Sequence, residues 1–396
     1  MLEWLFASMI SVACGWPAQP IKQRHRKQQL QSPGVHFAKV NETEALKGGL
    51  QKLLPLWSPS NISDLIGMGA VYYRPPKARL FERLGNTLWP ADSQERALVQ
   101  DTLIERGAEL RVHTEPKRYP TCEHLSLEAW YSCISHSDED YVVVDKPSGV
   151  PCAPHVSNGR EWLVPFVAAA LASKRRHKYQ SRAPLTPCQR LDVQTSGLVA
   201  LARSPDAARS FQQLLLDGQV QKRYRALVCC QSEQQLEVNQ QLMHKISDSV
   251  FGKPAPRLIA PMDAAVGGSG HKWRDARATI LSIRTSPGCK ELTEVEIQLH
   301  TGRTHQLRAQ LAAIGFPIVN DCLYGKMANF IWKDASDDQL AASLVECCAK
   351  EAKEALESSL ALQCSDLSFR DQRFQAGAPW WRKGLQEVWL EIYPIC

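Results

Sequence analysis

Strands and helices together make up the fold that this sequence predicts. Residues 141–150 form a β-branched run that ends in Pro and Gly, which is typical of a buried strand entering a turn. Residues 222–228 and 294–299 alternate polar and apolar side chains, as half-buried strands do. Residues 204–218 and 304–315 begin at a capping residue, carry apolar side chains at helical spacing and end at glycine, so both should be helices.

Length, charge and cysteine content set broad limits. For 396 residues, two or three domains are expected. The 47 Lys and Arg against 41 Asp and Glu give a net charge of +6, which is compatible with an RNA partner without identifying one. The 13 cysteines include no Cys-x-x-Cys, so we expect free thiols in a reducing compartment and no metal site.

Residues 1–44 are expected to be a disordered or targeting tail. Residues 2–16 are apolar with Glu3 as their only charge, and basic residues follow between Lys22 and Lys27. This composition lacks the basic leader of a secretory signal and favours a transit peptide for a plastid or mitochondrion. A disordered tail on a cytoplasmic or nuclear protein is the alternative. No apolar run is long enough to predict a membrane span.

Residues 45–115 are interpreted as a separate small unit. Apolar residues from Leu50 to Leu56 indicate a helix, a second helix begins near Ser60, Gly67 and Gly69 break it, and residues 70–73 and 107–112 are strand-like. This order resembles the small RNA-binding module named after ribosomal protein S-four. An ordinary αβ extension is the alternative. Residues 116–139 are predicted to be a linker, because their first part is rich in Pro, Lys and Arg.

The segment that organises the chain is Pro-Cys-Gln-Arg-Leu-Asp-Val-Gln-Thr-Ser-Gly at residues 187–197. Its carboxylate, Asp192, is followed by a Thr-Ser-Gly turn and then by an apolar run at residues 198–202. The Asp should therefore lie where a turn meets a buried strand.

Four motifs in the same order resemble those of the RluA/RluD-type RNA pseudouridine synthases. They are Asp-Lys-Pro-Ser-Gly at 145–149, Arg-Leu-Asp-x-x-Thr-Ser-Gly at 190–197, Lys-x-Tyr at 222–224, and Thr-Gly-Arg-Thr-His-Gln-Leu-Arg at 301–308 with Asp-x-x-Tyr-Gly at 321–325. The chain departs from the family pattern at Gln189, where histidine is usual, and at Val193. These departures lead us to expect altered substrate contacts.

The resemblance implies an α+β fold: a mixed, mainly antiparallel central sheet flanked by helices. The catalytic domain would span residues 140–396, with insertions near residues 247–275 and 327–358. It also implies an RNA substrate, rRNA or tRNA, with no cofactor and no obligatory protein partner.

Roles for individual residues follow from the same resemblance and from the chemistry of a flipped-out base. Asp192 would be the nucleophile, Arg308 would pair with it and keep it ionised, and Tyr224 would stack on the uracil. Arg190, on the same face of an extended strand as Asp192, would fill the place that the base vacates. Further substrate contacts are expected from Lys146, Thr195, Arg303, His305 and Gln306, and RNA-backbone contacts from Lys174, Arg175, Arg176 and Lys178.

Two other functions remain open from sequence. One is a non-catalytic RNA-binding or assembly protein that keeps the fold, for which Asp192 would be dispensable. The other is a carboxylate-dependent hydrolase, which would need a second catalytic carboxylate. Asp145 is the nearest candidate, although its Lys-Pro context favours a turn.

Overall fold

The structure is a computed structural model that describes residues 34–76, 81–84, 87–90, 96–174, 184–232, 235–248, 255–264, 266, 272–285, 291–354 and 359–382. The chain divides into two compact units. Unit 1 comprises Met1–Glu128 and Pro151–Leu185, and unit 2 comprises Ala129–Val150 and Thr186–Cys396. Residues 151–185, which we assigned to the catalytic domain, therefore cluster with the amino-terminal part of the chain.

Unit 1 contains a four-stranded antiparallel sheet in the order β1-β8-β3-β6. The described strands of unit 1 are β1 (Val35–Lys39), β2 (Glu44–Ala45), β3 (Val71–Arg74), β4 (Phe81–Leu84), β5 (Thr87–Pro90), β6 (Arg96–Leu98), β7 (Leu103–Ile104) and β8 (Glu109–His113). Strand β2 pairs with β7, and β4 pairs with β5. Helices α1 (Leu46–Leu53) and α2 (Pro59–Gly67) share its core, in which Leu46, Leu50 and Ile62 are almost fully buried.

The amino-terminal boundary of this unit corrects the sequence prediction. Strand β1 lies inside the segment 1–44 that we assigned to a tail, and it pairs in register with β8 from Val35↔His113 to Lys39↔Glu109. Most of its side chains are exposed, so the strand carries no apolar pattern that could have revealed it. Helix α2 begins at Pro59 with Ser58 as its cap, since the Ser58 hydroxyl accepts from the Asn61 amide at 3.1 Å. Residues 1–33, which include the candidate transit peptide, lie outside the described residues.

Residues 116–139 are not a simple linker. They contain α3 (Pro120–His124), α4 (Leu127–Ser132) and strand β9 (Ile134–Ser137), and Trp130 is completely buried. The Pro- and Arg-rich start of this segment indicated a flexible connection, but its later apolar residues fold. Helix α5 (Leu163–Ser173) follows in unit 1 and buries Leu163, Val167 and Ala170, which recur at helical spacing.

Unit 2 is built on an eleven-stranded mixed sheet, which confirms the predicted α+β class. The main path runs β15-β14-β16-β17-β13-β18-β12-β10-β9, with β11 on β12 and β19 on β18. Among the described strands, only β12 and β18 pair in parallel. The strands after β9 are β10 (Tyr141–Lys146), β11 (Thr186–Pro187), β12 (Ser196–Ala202), β13 (Gln221–Cys229), β14 (Gln241–Ser247), β15 (Ile259–Pro261), β16 (Trp273–Thr285), β17 (Leu292–Leu299), β18 (Leu362–Phe369) and β19 (Gln372–Gln375).

Three helices of eight or more residues lie in the described part of unit 2, and two of them were predicted from the sequence. Helix α6 (Pro205–Leu216) starts at Ser204, whose hydroxyl accepts from the Ala207 amide at 3.1 Å. Helix α7 (Gln306–Ala313) ends before Gly315, whose φ of +85° suits the left-handed stop of a helix. Helix α8 (Asp338–Glu354) lies in the predicted insertion 327–358.

Both predicted insertions contribute to one apolar cluster. Leu258 and Ile259 from the first, and Trp332, Ala341 and Val345 from the second, are buried together. The same cluster includes Ala309 and Ala312 of α7, so the insertions help to hold that helix in place. Residues 255–260 of the first insertion are largely buried, so this part of it is not a surface loop.

Among the described residues, no helix has the length and apolar character needed to cross a membrane. The same part of the chain holds no group of three or more His, Cys, Asp or Glu side chains arranged to bind a metal ion.

Candidate active site

Asp192 opens a tight turn between two strands of unit 2. The Thr195 amide donates to the Asp192 carbonyl oxygen at 3.1 Å, and Ser196 then begins β12. The side chain of Asp192 is 29% exposed, although the strand that follows is almost completely buried. The prediction of a carboxylate at the edge of the core is therefore confirmed.

Lys146 stabilises this turn through hydrogen bonds to main-chain carbonyl groups. Its ammonium group is fully buried and donates to the carbonyl oxygens of Pro147, Val150 and Val193, at 2.9, 2.8 and 3.1 Å. Because Val193 follows Asp192, these bonds tie the Lys-Pro-Ser-Gly turn to the reactive turn. Lys146 does not line the cavity described below, so its position suits a positioning role better than the substrate contact that we expected.

Gly197 permits the close approach of two strands directly behind the turn. Its φ is +108°, and a Cβ there would stand 2.8 Å from the carbonyl carbon of Cys364 and still closer to that residue's amide nitrogen and carbonyl oxygen. Ser196 and Gly197 pair in parallel with Gln363 and Cys364 of β18. The glycine of the Thr-Ser-Gly motif is thus required by the backbone.

Arg308, on α7, lies between two carboxylates. It donates from Nε and Nη2 to Asp321, with both distances 2.7 Å, and its Nη1 is 3.6 Å from Oδ2 of Asp192. Arg308 therefore does reach Asp192, as predicted, but its strongest partner is Asp321, which is completely buried. Burial opposes the charge of Arg308, yet the attraction of Asp321 and Asp192 outweighs it and raises the pKa of this guanidinium.

His305 and Tyr324 line the same corner. The His305 Nε2 is 3.9 Å from Oδ2 of Asp192, and its Nδ1 is 3.1 Å from the Tyr324 hydroxyl. Burial, reinforced by the positive charge of Arg308, lowers the pKa of His305 to about 4, so its imidazole is neutral at pH 7. His305 is the cap of α7, one residue later than the predicted Thr304, and has a φ of +57°.

Tyr224 reaches the cavity from β13, at a β-bulge between Arg223 and Tyr224. Bulges re-aim side chains and are frequent beside active sites. The Tyr224 hydroxyl contacts the Cys364 thiol, whose pKa burial raises to about 12. Tyr224 is only 7% exposed, and it lines the cavity described below.

These side chains surround a cavity in unit 2 that is open to solvent. Eight of the predicted site residues line it, namely Arg190, Asp192, Thr195, Tyr224, Arg303, His305, Gln306 and Arg308. Leu191, Leu299, Leu307 and Leu362 add apolar surface. The structure thus brings eight of the predicted site residues to one cavity, and their roles remain predictions.

Three of these eight residues differ in whether their polar groups already bond to other parts of the protein. Arg190 lies in a loop and not on the extended strand that we expected, and it forms no ion pair with any described residue. The buried Thr195 hydroxyl likewise has no hydrogen-bond partner in the described chain. Arg303 donates from Nε to the Asp275 carbonyl oxygen at 3.0 Å.

Gln306 is committed to the protein itself. Its Oε1 accepts from the Thr301 hydroxyl and the Arg303 amide, and its Nε2 donates to the Arg277 carbonyl oxygen at 3.1 Å. These bonds fix the loop that carries His305, so Gln306 holds the site together where we predicted a substrate contact.

Of the predicted backbone-binding cations, Lys174 pairs with Glu128 at 2.7 Å. Arg175, Arg176 and Lys178 lie outside the described residues.

Three other positions bear on the sequence predictions. Asp145, the second carboxylate that a hydrolase would need, accepts from the Gly377 amide at 2.9 Å and does not line the cavity. Gln189 donates to the Leu198 carbonyl oxygen at 3.2 Å, so it also points away from the cavity. Asp321 was missed as the main partner of Arg308, although it belonged to a motif that we had already quoted.

Relatives of the chain carry closely related names. It is 28% identical to "RNA pseudouridine synthase 6, chloroplastic" of Oryza sativa subsp. japonica, over 90% of this chain and 81% of that protein. It is 30% identical to the mitochondrial pseudouridylate synthase RPUSD4 of Rattus norvegicus, over 54% of this chain and 55% of that protein. The solved structure of human RNA pseudouridylate synthase domain containing 4 overlaps 64% of this chain and 92% of that chain, with 23% identity and a TM-score of 0.43.

The family comparison covers the segment that builds the site. Residues 140–313 match the family described as RNA pseudouridylate synthase, and this span contains Asp192, Tyr224 and Arg308. This segment of the chain therefore belongs to the RNA pseudouridylate synthase family of isomerases.

Proposed function

We propose that this protein converts specific uridines of structured RNA, rRNA or tRNA, to pseudouridine, with Asp192 as the nucleophile. The observation that carries the proposal is the position of Asp192. It is a partly exposed carboxylate in an open cavity, 3.6 Å from a buried guanidinium that a second carboxylate holds in place. An adjacent cation keeps a carboxylate ionised, as a nucleophile requires.

The reaction rearranges one nucleotide without changing its composition. The bond between uracil N1 and the ribose breaks, the freed uracil turns, and its C5 joins the ribose. C5 then loses its proton and N1 carries one in the product. No electrons are gained or lost, so the demands on the protein are a nucleophile, a surface for the detached base and access to a flipped nucleotide. Asp192 would attack either the ribose or the uracil ring.

The other cavity residues fit these demands. Tyr224 presents an aromatic surface on which uracil can stack and a hydroxyl that can move a proton. The Thr195 hydroxyl is buried with no partner in the described chain, and burying such a group is costly unless a ligand satisfies it. Arg190 is an exposed cation at the cavity edge, suited to occupy the place of the flipped base.

A partly exposed face of the unit 1 sheet supports a second contact with RNA. Phe37, Arg111 and Tyr72 are direct cross-strand neighbours on β1, β8 and β3. Phe37 is 51% exposed, and the Arg111 guanidinium lies 4.3 Å from the centre of the Tyr72 ring. Aromatic rings beside cations on a sheet surface are suited to stack the bases of single-stranded RNA.

Phe37→Ala tests this surface. We expect RNA affinity to fall by roughly 5- to 100-fold, since stacking contributes about 1–3 kcal/mol per base. The rate at saturating RNA should not change. Leu103→Ala removes another exposed apolar side chain of unit 1, 70% exposed, and should leave affinity unaltered. Equal affinities for both variants and the wild type would refute RNA binding by this face.

We further propose that the protein acts in a plastid or mitochondrion. The amino-terminal composition and the chloroplastic and mitochondrial names of the rice and rat relatives support this location. Residues 1–44 fused to a fluorescent protein should be imported into an organelle. Diffuse cytoplasmic or nuclear fluorescence would argue for the alternative.

The main experiment is pseudouridine mapping on ribosomal and transfer RNA from cells that lack the protein. Specific pseudouridines should disappear and return with the wild-type protein but not with Asp192→Asn. If the variant restores them equally well, Asp192 is not the nucleophile. If no pseudouridine is lost, the non-catalytic RNA-binding alternative is favoured.

A further inference from the structure

His305 offers the active site a second hydrogen-bond donor, and the protein determines which of its ring nitrogens carries the proton. Its neighbour Tyr324 is only 1% exposed. Its hydroxyl oxygen accepts from the backbone amide of Arg257 at 2.7 Å. The hydroxyl proton therefore has to point elsewhere.

One acceptor in the described chain lies within reach of that proton, and it is Nδ1 of His305 at 3.1 Å. A buried hydroxyl rarely leaves its proton unpaired. If Tyr324 donates to Nδ1, this nitrogen is unprotonated and the neutral ring carries its proton on Nε2. The tautomer is thus set by Tyr324, which is itself oriented by the main chain at Arg257.

Nε2 faces the reactive carboxylate. It is 3.9 Å from Oδ2 of Asp192, the same oxygen that Nη1 of Arg308 approaches at 3.6 Å. Neither distance is yet a hydrogen bond, but catalytic hydrogen bonds in free enzymes are often this long and shorten when substrate binds. If both contacts shorten in this way, the two donors would hold the carboxylate in a single orientation through Oδ2 and would leave Oδ1 to react.

We propose that His305 is a positioning residue, a neutral imidazole that donates from Nε2–H to Oδ2 of Asp192 together with Arg308, so that Oδ1 is the oxygen that attacks. This inference rests on the proposed function, because it assigns roles to the two oxygens of its nucleophile. It also gives residues 255–260 a part in the reaction through the amide of Arg257.

The backbone at His305 agrees with a specialised role. Its φ of +57° is unusual for any residue other than glycine, and strain of this kind is maintained where the surrounding structure imposes it. The ring also packs edge-on against Tyr324, with 5.7 Å between the ring centres. The imidazole is therefore held in both position and orientation.

Nitrogen NMR of the histidine side chains tests the tautomer without any activity measurement. In protein with ¹⁵N-labelled histidine, the signals lost in His305→Gln identify this ring. At pH 7 we expect a neutral ring protonated at Nε2, and Tyr324→Phe should release it into a mixture of tautomers. A ring protonated at Nδ1, or an imidazolium at pH 7, would overturn the proposal.

Single-turnover rates test the role in catalysis. His305→Gln keeps an amide donor and should retain most of the rate, whereas His305→Phe should lose about a hundredfold, the usual effect of deleting one donor to a reacting charge. RNA affinity should stay constant in both. Equal rates for the two variants would contradict the positioning role.

The two proposals can fail separately. An inactive Asp192→Asn combined with an Nδ1-protonated His305 would leave the proposed function intact and refute this inference. An active Asp192→Asn would refute the proposed function whatever the tautomer.

Discussion

Arg308 is shared by two carboxylates that differ sharply in their surroundings. Asp321 is completely buried and takes two short bonds, while Asp192 is 29% exposed and has one contact at 3.6 Å. A carboxylate that is fully satisfied inside the protein cannot meet a substrate. The arrangement therefore assigns Asp321 to holding the guanidinium and leaves Asp192 free to react.

Asp321→Asn should weaken both stability and catalysis. Removing one partner of a buried ion pair leaves an uncompensated charge, so we expect the free energy of unfolding to drop by about 3 kcal/mol. The single-turnover rate should also fall, because Arg308 loses the contact that aims it at Asp192. Denaturant titration and rate measurements on the same preparation check both effects.

A surface ion pair provides the matched control. Asp206 pairs with Arg209 on α6, where both side chains are largely exposed. Asp206→Asn should change neither stability nor rate appreciably, since exposed pairs contribute little. If Asp321→Asn behaves like this control, Asp321 does not hold Arg308.

His305 predicts a dependence of stability on pH. Its pKa falls from the ordinary 6.5 to about 4 on folding, so between these values the unfolded chain binds a proton that the folded protein does not. This contribution is complete above pH 6.5 and is lost as the pH falls toward 4. At pH 4.5 the free energy of unfolding should therefore be about 2–3 kcal/mol lower than at pH 7.

His305→Gln removes this titration. The difference in unfolding free energy between pH 7 and pH 4.5 should be smaller in the variant than in the wild type. His113 and His244 also have pKa values lowered by burial, but they are present in both proteins and cancel in the comparison. An unchanged difference would show that His305 is not buried as a neutral ring.

At the scale of elements, the junction of β12 and β18 depends on Gly197. Gly197→Ala would combine an unfavourable φ with overlap against the Cys364 backbone, and we expect a loss of roughly 3–5 kcal/mol. Gly218→Ala shares the positive φ but meets no atom within 4 Å, so about 1 kcal/mol is expected. Thermal unfolding of the two variants makes the comparison, and equal losses would mean that the close approach is unimportant.

Elements with a strong local signal were predicted well from the sequence. Helix α6 had its Ser-Pro-Asp start, α7 had its terminal glycine, and β12 had its apolar run. Strand β1 had no such signal, because most of its side chains are exposed and its position depends on pairing with β8. The prediction of a linker at residues 116–139 was wrong because it relied on the Pro and Arg residues at the start of the segment and not on Trp130, which is buried.

The site was predicted as a set of residues but not as a set of contacts. The order of the motifs predicted that Asp192, Tyr224 and Arg308 share one site, and all three line one cavity. It did not distinguish between two aspartates as partners for Arg308, because that choice depends on how a turn at Asp321 folds back onto α7. The Tyr224 bulge and the contact from Arg257 are likewise properties of the tertiary structure.

At the scale of the whole molecule, the basic excess predicts binding that weakens with salt. Each phosphate contact to a single strand contributes about 0.7 to the slope of log affinity against log salt. Replacing Arg175, Arg176 and Lys178 with glutamine should therefore reduce that slope by about 2, while the rate at saturating RNA stays the same. Arg209→Gln on α6 is the control, and an unchanged slope in the triple variant would remove these residues from the RNA interface.

The central claim is that the Asp192 carboxylate performs the chemistry. Its most direct test is single-turnover release of tritium from RNA labelled at uracil C5, because pseudouridine formation expels the hydrogen at that carbon. We predict that the wild-type protein releases tritium and that Asp192→Asn binds the same RNA with equal affinity but releases none. Release by Asp192→Asn at a rate within tenfold of the wild type would contradict the account.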